Sequence, residues 1–302
     1  MDRVRLPEHI RALYPFTSRW AEIGGHTLHY LDEGARDRTE AIVLLHGNPT
    51  WSFLYRDFVP PLRDAGYRVV VPDYLGFGLS EKPFDEGLYA ITHHAGRLRA
   101  LLAQIGVERA VLFCQDWGGP IGMGAVLAQP DLLAGLVLAN TFWGESSSFQ
   151  RSVPMWRALH GPVAGTLLLG RRGMFVNAMR LSGPRDAPAA VWDAYRLPFL
   201  DADSRVGTLA FPRAISTGRG HPTQPLADAI LEALPTWDVP VRLPWGADDA
   251  VFPPDEQGAR FAELLQRGVE VEAIPGARHF VQEYAPDVCT QATLDVAREA
   301  FG

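Results

Sequence analysis

The feature that most constrains the fold of this chain is a repeated alternation of short apolar runs with segments of helical periodicity. Continuous apolar runs such as Ala41–Leu45 are typical of strands that are buried on both faces. Helical spacing of leucines follows at about Ile91–Ile105, and a further helix is expected at about Val288–Phe301. Strands are predicted at residues 19–23, 26–31, 41–45, 67–71, 110–114, 135–139, 241–245 and 269–274. This alternation predicts the α/β class, with a mostly parallel central sheet flanked by helices.

One long stretch interrupts the alternation. Between residues 143 and 222 the chain is rich in Arg, Pro and Gly, and it shows helical fragments without a clear buried strand. The clearest fragment is Pro188–Tyr195, where Pro188 suits the first position of a helix. The sequence therefore predicts two parts, which are a core of residues 1–142 and 223–302 and an inserted helical cap of residues 143–222.

Composition narrows the possible functions. The net charge of −7 comes without a basic stripe, so no nucleic-acid partner is expected. No apolar run is long enough to span a bilayer, and the first ten residues lack the apolar region of a signal peptide, so we expect a cytoplasmic protein without a membrane partner. Cys114 and Cys289 form no paired motif and are expected to be small buried residues. No metal or cofactor is expected, and the sequence predicts no oligomeric state.

The segment FCQDWGGPIGMG at Phe113–Gly124 has the outline of a nucleophile elbow, a sharp strand-to-helix turn that usually reads Gly-x-Ser-x-Gly. Its centre is Asp116 instead of serine, and Trp117 follows. Asp116 could alternatively cap the following helix, where aspartate is favoured. The strand before the turn and the small residues after it favour the interpretation as a nucleophile.

A carboxylate nucleophile needs a base and an acid that orients the base, and in this architecture the chain order is nucleophile, acid, histidine. Asp249 follows the strand at 241–245 and lies four residues before Pro253. The neighbouring Asp248 is the alternative acid, and the spacing to Pro253 favours Asp249, which leaves Asp248 as a solvated turn residue. His279 follows the last predicted strand and is the expected base.

The loop His46-Gly-Asn-Pro-Thr50 follows the third predicted strand. In this architecture that loop supplies one backbone N–H of an oxyanion hole, and the residue after the nucleophile supplies the other. Asn48 and Trp117 are therefore the expected oxyanion-hole residues. His46 is expected to hold the loop without taking part in the chemistry.

These motifs together resemble the haloalkane dehalogenase family of α/β-hydrolases. The resemblance covers nearly the whole chain. It rests on His46-Gly-Asn-Pro-Thr50, Pro72-Asp-Tyr-Leu-Gly-Phe-Gly-Leu-Ser80, Gln115-Asp-Trp-Gly-Gly119, Tyr195-Arg-Leu-Pro-Phe199, Phe211-Pro-Arg213 and His279-Phe-Val-Gln282. The element Gln115–Gly119 alone is shared with epoxide hydrolases.

The resemblance implies an α/β-hydrolase fold and a halide site formed by the side-chain N–H groups of Asn48 and Trp117. One branch of the family carries a glutamate just after the strand that is 135–139 here. This chain has no carboxylate there before Glu145. The combination of Asp249 with Asn48 resembles the third subfamily.

The expected function is hydrolysis of carbon–halogen bonds to alcohol and halide. A serine that attacked an alkyl carbon would form an ether, whereas Asp116 forms an ester that water activated by His279 can cleave. Asp249 would fix the imidazole tautomer. The expected partners are a small apolar halogenated substrate, water and the halide product. Phe142, Trp143 and Phe199 are candidates for lining the cleft or for the core.

Two alternatives stay open at this point. An epoxide hydrolase also forms an aspartyl ester, but its leaving alkoxide needs an acid, typically tyrosines of the cap. Tyr195 is the only tyrosine between residues 143 and 222. A non-catalytic ligand-binding protein on a hydrolase fold is the alternative of another class, because a fold alone does not establish a function.

Overall fold

The computed structural model describes residues 6–143, 161, 163–216, 218–265 and 268–302. One sheet has the strand order β1-β2-β4-β3-β5-β6-β7-β8. The strands are β1 Arg19–Ile23, β2 His26–Glu33, β3 Glu40–Leu45, β4 Val69–Pro72, β5 Arg109–Asp116, β6 Leu133–Thr141, β7 Val241–Gly246 and β8 Val271–Ile274. Strand β2 is antiparallel to both β1 and β4, and all other neighbours are parallel. The predicted mostly parallel sheet is confirmed.

Helices cover both faces of this sheet. The α-helices are α1 Glu8–Leu13, α2 Val59–Asp64, α3 Ile91–Gln104, α4 Gly118–Ala128, α5 Met174–Ala178, α6 Ala189–Arg196, α7 Val206–Arg213, α8 Gln224–Ala233, α9 Ala259–Leu265, α10 Val281–Tyr284 and α11 Pro286–Phe301. Short 3₁₀ or π turns lie at Ser52–Tyr55, Glu86–Tyr89, Pro130–Leu132, Thr166–Arg171, Met179–Leu181, Leu197–Phe199, Asp203–Arg205, Leu234–Thr236 and Pro254–Gly258.

The core lies in two apolar layers because successive side chains of a strand point to opposite faces. Val43 and Leu45 of β3 pack in one layer with α3, α4, α8 and α9. Ile42 and Leu44 pack in the other layer with α1, α2 and α11. Burial on both faces explains why the strands read as continuous apolar runs.

Most predicted boundaries differ from the observed ones by one or two residues, and three elements start later than predicted. Strand β4 starts at Val69 instead of residue 67, because its pairing with β2 begins at Val69. Strand β8 starts at Val271 instead of residue 269, because its ladder with β7 begins there. Helix α6 starts at Ala189, and Pro188 precedes it with an extended ψ of 145° instead of taking the first helical position.

The described residues between β6 and α8 are helical or irregular, and none of them belongs to the sheet. Helices α5, α6 and α7 lie in this stretch. Cys114 and Cys289 are buried free thiols, as expected. None of the helices in the described ranges combines the length and the apolar character that crossing a bilayer requires.

Candidate active site

The nucleophile elbow is built at the carboxyl end of β5. Asp116 is the last residue of that strand and has a left-handed φ of 51°, which is uncommon for a residue other than glycine. Trp117 returns to helical dihedrals, and α4 begins at Gly118. The sharp reversal lifts the Asp116 side chain out of the strand and into the space above the sheet.

Two glycines make room for this turn. A Cβ at Gly47 would lie 2.1 Å from Oδ1 of Asp116. A Cβ at Gly119 would lie 2.1 Å from Oγ1 of Thr141, whose hydroxyl donates to the Asp116 carbonyl at 2.6 Å. Glycine is therefore required at both positions, because neighbouring atoms lie too close to leave room for a Cβ.

The two carboxylate oxygens of Asp116 have different surroundings. Oδ1 accepts a hydrogen bond of 2.7 Å from the backbone N–H of Asn48. Oδ2 lies 3.6 Å from Nε2 of His279. The Asp116 residue is only 6% exposed, so water does not surround its charge. Oδ2 is thus the oxygen that is available for attack.

The predicted acid and base lie together beside Asp116. Nδ1 of His279 is 3.1 Å from Oδ2 of Asp249. The Asp249 carboxylate is buried, and its Oδ1 accepts the Val251 N–H at 2.8 Å. The neighbouring Asp248 is exposed, as predicted for a solvated turn residue.

Sequence reasoning gave no role to Asn140, although its side chain holds Asp249. Its Nδ2 donates to Oδ2 of Asp249 at 2.7 Å, and its Oδ1 accepts the Gly246 N–H at 2.9 Å. The residue has a φ of 46°, in the left-handed region that asparagine tolerates better than most residues. Its position near the carboxyl end of β6, beside the loop that follows β7, is the signal that could have identified Asn140 as a site residue.

The charges around His279 favour its protonated form. Burial opposes the charge, but the carboxylates of Asp249 and Asp116 outweigh burial and raise the pKa of His279 to about 10. The imidazole is therefore an imidazolium at neutral pH while Asp116 is ionised. Loss of the Asp116 charge would remove part of this support and lower the pKa of His279.

A mostly apolar cavity of about 430 Å³ adjoins these groups. Its lining consists of Asn48, Pro49, Asp116, Trp117, Phe142, Phe175, Ala178, Met179, Leu181, Ser182, Pro212, Ile215, Ala250, Val251, Phe252, His279 and Phe280. Phe142 lines it, as predicted. Trp143 and Phe199 do not, because Trp143 packs on Phe261 at 5.3 Å between ring centroids and Phe199 packs on Phe77 at 6.0 Å.

Asn48 and Trp117, the two residues predicted to bind the halide, both line the cavity. The indole of Trp117 packs edge-on to Phe142 at 4.8 Å and also contacts Phe211 at 5.2 Å. Nδ2 of Asn48 donates to the Thr208 carbonyl at 3.4 Å, which orients its amide from the helical stretch.

His46 holds the loop after β3, as predicted. Its Nδ1 donates to the Gly47 carbonyl at 2.9 Å, and its Nε2 accepts the Tyr74 N–H at 3.2 Å. Burial lowers its pKa, with Asp73 opposing the shift, so the ring stays neutral.

Within the described ranges, no group of three or more His, Cys, Asp or Glu side chains is placed to hold a metal ion.

Tyr195 points away from the cavity. Its hydroxyl donates to Oε1 of Glu283, which also forms a two-pronged ion pair with Arg56 at 2.6 and 2.8 Å. The lining of the cavity includes no tyrosine. The described residues therefore offer no phenol that could protonate a leaving alkoxide.

Comparisons with known proteins agree with this geometry. A family model described as the alpha/beta hydrolase fold matches residues 40–286. Haloalkane dehalogenase 2 of Mycobacterium bovis is 38% identical over 287 residues, which cover 94% of this chain and 96% of that protein. A haloalkane dehalogenase of Mycobacterium marinum is 33% identical, with 94% and 95% covered.

Solved structures give the same result. The haloalkane dehalogenase DbeA from Bradyrhizobium elkani superposes with a TM-score of 0.85 and 25% identity, covering 94% of this chain and 98% of that one. The haloalkane dehalogenase DpaA from Paraglaciecola agarilytica superposes with a TM-score of 0.83 and 29% identity, covering 97% and 98%. The chain belongs to the haloalkane dehalogenase family of α/β-hydrolases.

Proposed function

We propose that this protein hydrolyses the carbon–halogen bonds of small apolar haloalkanes, with water, to an alcohol and a halide through an ester on Asp116. The observation that carries the proposal is the position of a buried carboxylate at an apolar cavity. His279 and Asp249 lie on one side of it, and Asn48 and Trp117, whose side chains carry N–H donors, line the same cavity.

In the first step, Oδ2 of Asp116 attacks the sp³ carbon that carries the halogen. The new bond joins Oδ2 to carbon, and the carbon–halogen bond breaks with its electron pair on the halide. A halide leaves as an anion and needs hydrogen-bond donors instead of a proton. The Nε1–H of Trp117 and the amide of Asn48 are the proposed donors, and an apolar cavity strengthens such dipoles.

In the second step, water attacks Cγ of the Asp116 ester while Nε2 of His279 takes a proton from the water. The negative charge develops on Oδ1, which already accepts the Asn48 N–H. We propose the backbone N–H of Trp117 as the second donor to Oδ1. The tetrahedral intermediate then expels the alkoxide, which takes the proton from His279 and leaves as the alcohol. The second proton of the water passes from the Asp116 carboxyl to His279, which restores the carboxylate. Asp249 stabilises the imidazolium between these events.

The two steps fit the change in charge at Asp116. Before alkylation, the carboxylate supports a protonated His279. Esterification removes that charge, so His279 becomes a stronger acid and loses its proton when a base is required. The order of the steps therefore produces the neutral imidazole that ester hydrolysis needs.

We further propose residues 143–222 as a cap subdomain over the core of 1–142 and 223–302. Seven lining residues of the cavity come from the described part of that stretch, which are Phe175, Ala178, Met179, Leu181, Ser182, Pro212 and Ile215. They would set the size of the substrate. Asp249 combined with Asn48, without a glutamate directly after β6, supports assignment to the third subfamily.

The experiment measures bromide release from 1-bromobutane and 1,2-dibromoethane, with Asp116→Ala as the control and styrene oxide in parallel. We expect catalytic bromide release that the variant loses. Diol from styrene oxide without bromide would favour an epoxide hydrolase and contradict the proposed roles of Asn48 and Trp117. Ligand binding that survives in Asp116→Asn, with no turnover by the unmodified protein, would favour a binding protein.

A further inference from the structure

Gln115 is a buried polar residue that the two proposed steps do not use. It precedes Asp116 in β5 and has no exposed surface. Its Nε2 lies 3.3 Å from Nε2 of His279 and also 3.3 Å from the carbonyl oxygen of His279. The amide therefore contacts both the ring and the backbone of the proposed base.

The carbonyl identifies which amide atom faces the ring. A carbonyl oxygen only accepts hydrogen bonds, so the Gln115 atom beside it has to be the NH₂ group. When Nε2 of His279 is unprotonated, its lone pair can accept the second hydrogen of that NH₂ group at the observed distance of 3.3 Å. A donor in this place favours a lone pair on Nε2 and opposes a proton there.

The oxygen of the Gln115 amide supports the view that this position requires the NH₂ group as a hydrogen-bond donor. Oε1 of Gln115 is buried without a hydrogen-bond partner among the described residues. An unpartnered buried oxygen destabilises the folded state, and an apolar side chain of the same shape would avoid this cost. Gln115 therefore carries a buried amide of which only the nitrogen has hydrogen-bond partners among the described residues.

On this basis we propose that Gln115 is a positioning residue that keeps Nε2 of His279 unprotonated after Asp116 has been esterified. The proposal deepens the proposed function and rests on it for its role in turnover. The contact acts against the protonated imidazole that forms when water is deprotonated, so it also promotes transfer of that proton to the departing alkoxide.

The charged groups that face His279 are few. Asp249 after β7 and Asp116 at the end of β5 favour its protonated form, and esterification neutralises Asp116. Asn48 after β3 and Phe252 after β7 carry no charge, and Phe252 packs on the imidazole at 5.5 Å between ring centroids. Arg278 precedes His279 on the same loop, and its guanidinium donates to the Leu181 carbonyl at 3.1 Å.

The direct test is an NMR titration of His279 in protein that carries Asp116→Ala, which removes the Asp116 charge as the ester does. Adding Gln115→Met keeps the length of the side chain and removes the amide. We expect this change to raise the pKa of His279 by about half a unit to one unit. An unchanged pKa would overturn the proposal.

Gln282 provides a matched control. It is also a buried glutamine with an unpartnered Oε1, but its Nε2 contacts the hydroxyl of Tyr55 at 3.5 Å instead of His279. We expect Gln282→Met to leave the pKa of His279 unchanged. An equal shift in both variants would show a general effect of losing a buried amide and would overturn the role of Gln115.

Kinetics supply the second readout. Single turnovers of 1-bromobutane separate bromide release from ester hydrolysis, each followed against pH. We expect Gln115→Met to slow hydrolysis by about three- to tenfold on the acid side and to leave hydrolysis at high pH and bromide release little changed. A uniform loss at all pH values would contradict the proposal. Absence of bromide release from the unmodified protein would refute the proposed function instead, and the titration would still decide whether Gln115 controls the proton on His279.

Discussion

The amide of Asn140 connects three parts of the site at the scale of a single residue. It donates to Asp249, accepts from the Gly246 backbone, and occupies a left-handed backbone position at the end of β6. Asp249 in turn bonds His279. The orientation of the His279 imidazole therefore depends on a neutral side chain that is two hydrogen bonds away from it.

Replacing Asn140 by glycine should separate its two contributions. Glycine tolerates the positive φ, so Asn140→Gly removes mainly the amide, and we expect a loss of about 1–3 kcal/mol in the free energy of unfolding. Asn140→Ala should cost about 1 kcal/mol more because alanine is strained at this φ. Urea unfolding of the two variants measures both values, and equal stabilities would contradict the backbone argument.

The raised pKa of His279 makes a prediction about stability and pH. The pKa is about 10 in the folded state against 6.5 for an unperturbed histidine, so the protonated ring stabilises the fold fully below pH 6.5 and loses this effect as pH rises towards 10. The difference in unfolding free energy between the unmodified protein and His279→Gln should shrink over that interval. A difference that is constant or grows with pH would contradict the pairing with Asp249 and Asp116.

Motifs predicted which residues would meet at the site, but not how each is held. Asp116, Asp249 and His279 were found because each follows a predicted strand, and the carboxyl ends of parallel strands share one edge. Gln115 and Asn140 were missed because a single amide has no sequence pattern, and its contacts join segments far apart in the chain.

The elbow is the element in which close packing is most restrictive. Gly119 is the second residue of α4, and a Cβ there would meet Oγ1 of Thr141 at 2.1 Å and the Phe142 carbonyl at 2.7 Å. Gly96 is in the interior of α3, and nothing lies within 4 Å of a Cβ built there. The two positions therefore compare the same substitution with and without steric conflict.

We expect Gly119→Ala to destabilise the protein by about 1–3 kcal/mol, because Thr141 of β6 and the Phe142 carbonyl would have to move away from the new methyl group. Gly96→Ala should stabilise it by about 0.5–1 kcal/mol, because alanine loses less backbone entropy in a helix. Thermal unfolding compares the two, and a stable Gly119→Ala protein would show that α4 can shift without cost.

A buried cluster fixes the helical stretch to the core. Glu283 of α10 pairs with Arg56, and Tyr195 of α6 donates to the same carboxylate. The side chains of Arg56 and Glu283 are 10% and 4% exposed. Trp51 adds a hydrogen bond of 3.1 Å to the Ala194 carbonyl. These contacts explain the Tyr195–Phe199 motif as packing of α6, separate from the chemistry.

We expect Arg56→Met to cost about 3–5 kcal/mol of unfolding free energy, because it leaves the charge of Glu283 buried without a cation. Tyr195→Phe should cost less, about 1–3 kcal/mol, because the ion pair remains. The exposed pair of Arg260 and Glu263 at 2.5 Å supplies the control, and Arg260→Met should change stability by less than about 1 kcal/mol. Similar losses for Arg56→Met and Arg260→Met would contradict this account.

For the whole molecule, the alternation of apolar runs was enough to predict the class of fold and all eight strands of the sheet. It could not predict the strand order, in which β3 lies between β4 and β5. It also could not place Trp143 and Phe199, since an aromatic residue near the cleft packs in the core as readily as it lines a cavity. Those outcomes depend on contacts between distant parts of the chain.

Charge at the scale of the whole protein favours neutral substrates. The chain carries a net charge of −7, and the cavity lining includes neither lysine nor arginine. We expect kcat/KM for 1-bromohexane to exceed that for 6-bromohexanoate by at least about tenfold, because a carboxylate tail would lose its hydration without a cation to replace it. Comparable values would reveal a cationic group that reaches the substrate.

The unequal surroundings of the two Asp116 oxygens have an isotopic consequence. Oδ1 is held by the Asn48 N–H, so in the proposed mechanism we expect Oδ2 alone to bond the alkyl carbon and to depart inside the alcohol. The oxygen of each attacking water then takes the vacated place. In water enriched in heavy oxygen, the first alcohol from each protein molecule is unlabelled, and the second carries the oxygen that entered one turnover earlier. The label of every product thus records the preceding catalytic cycle.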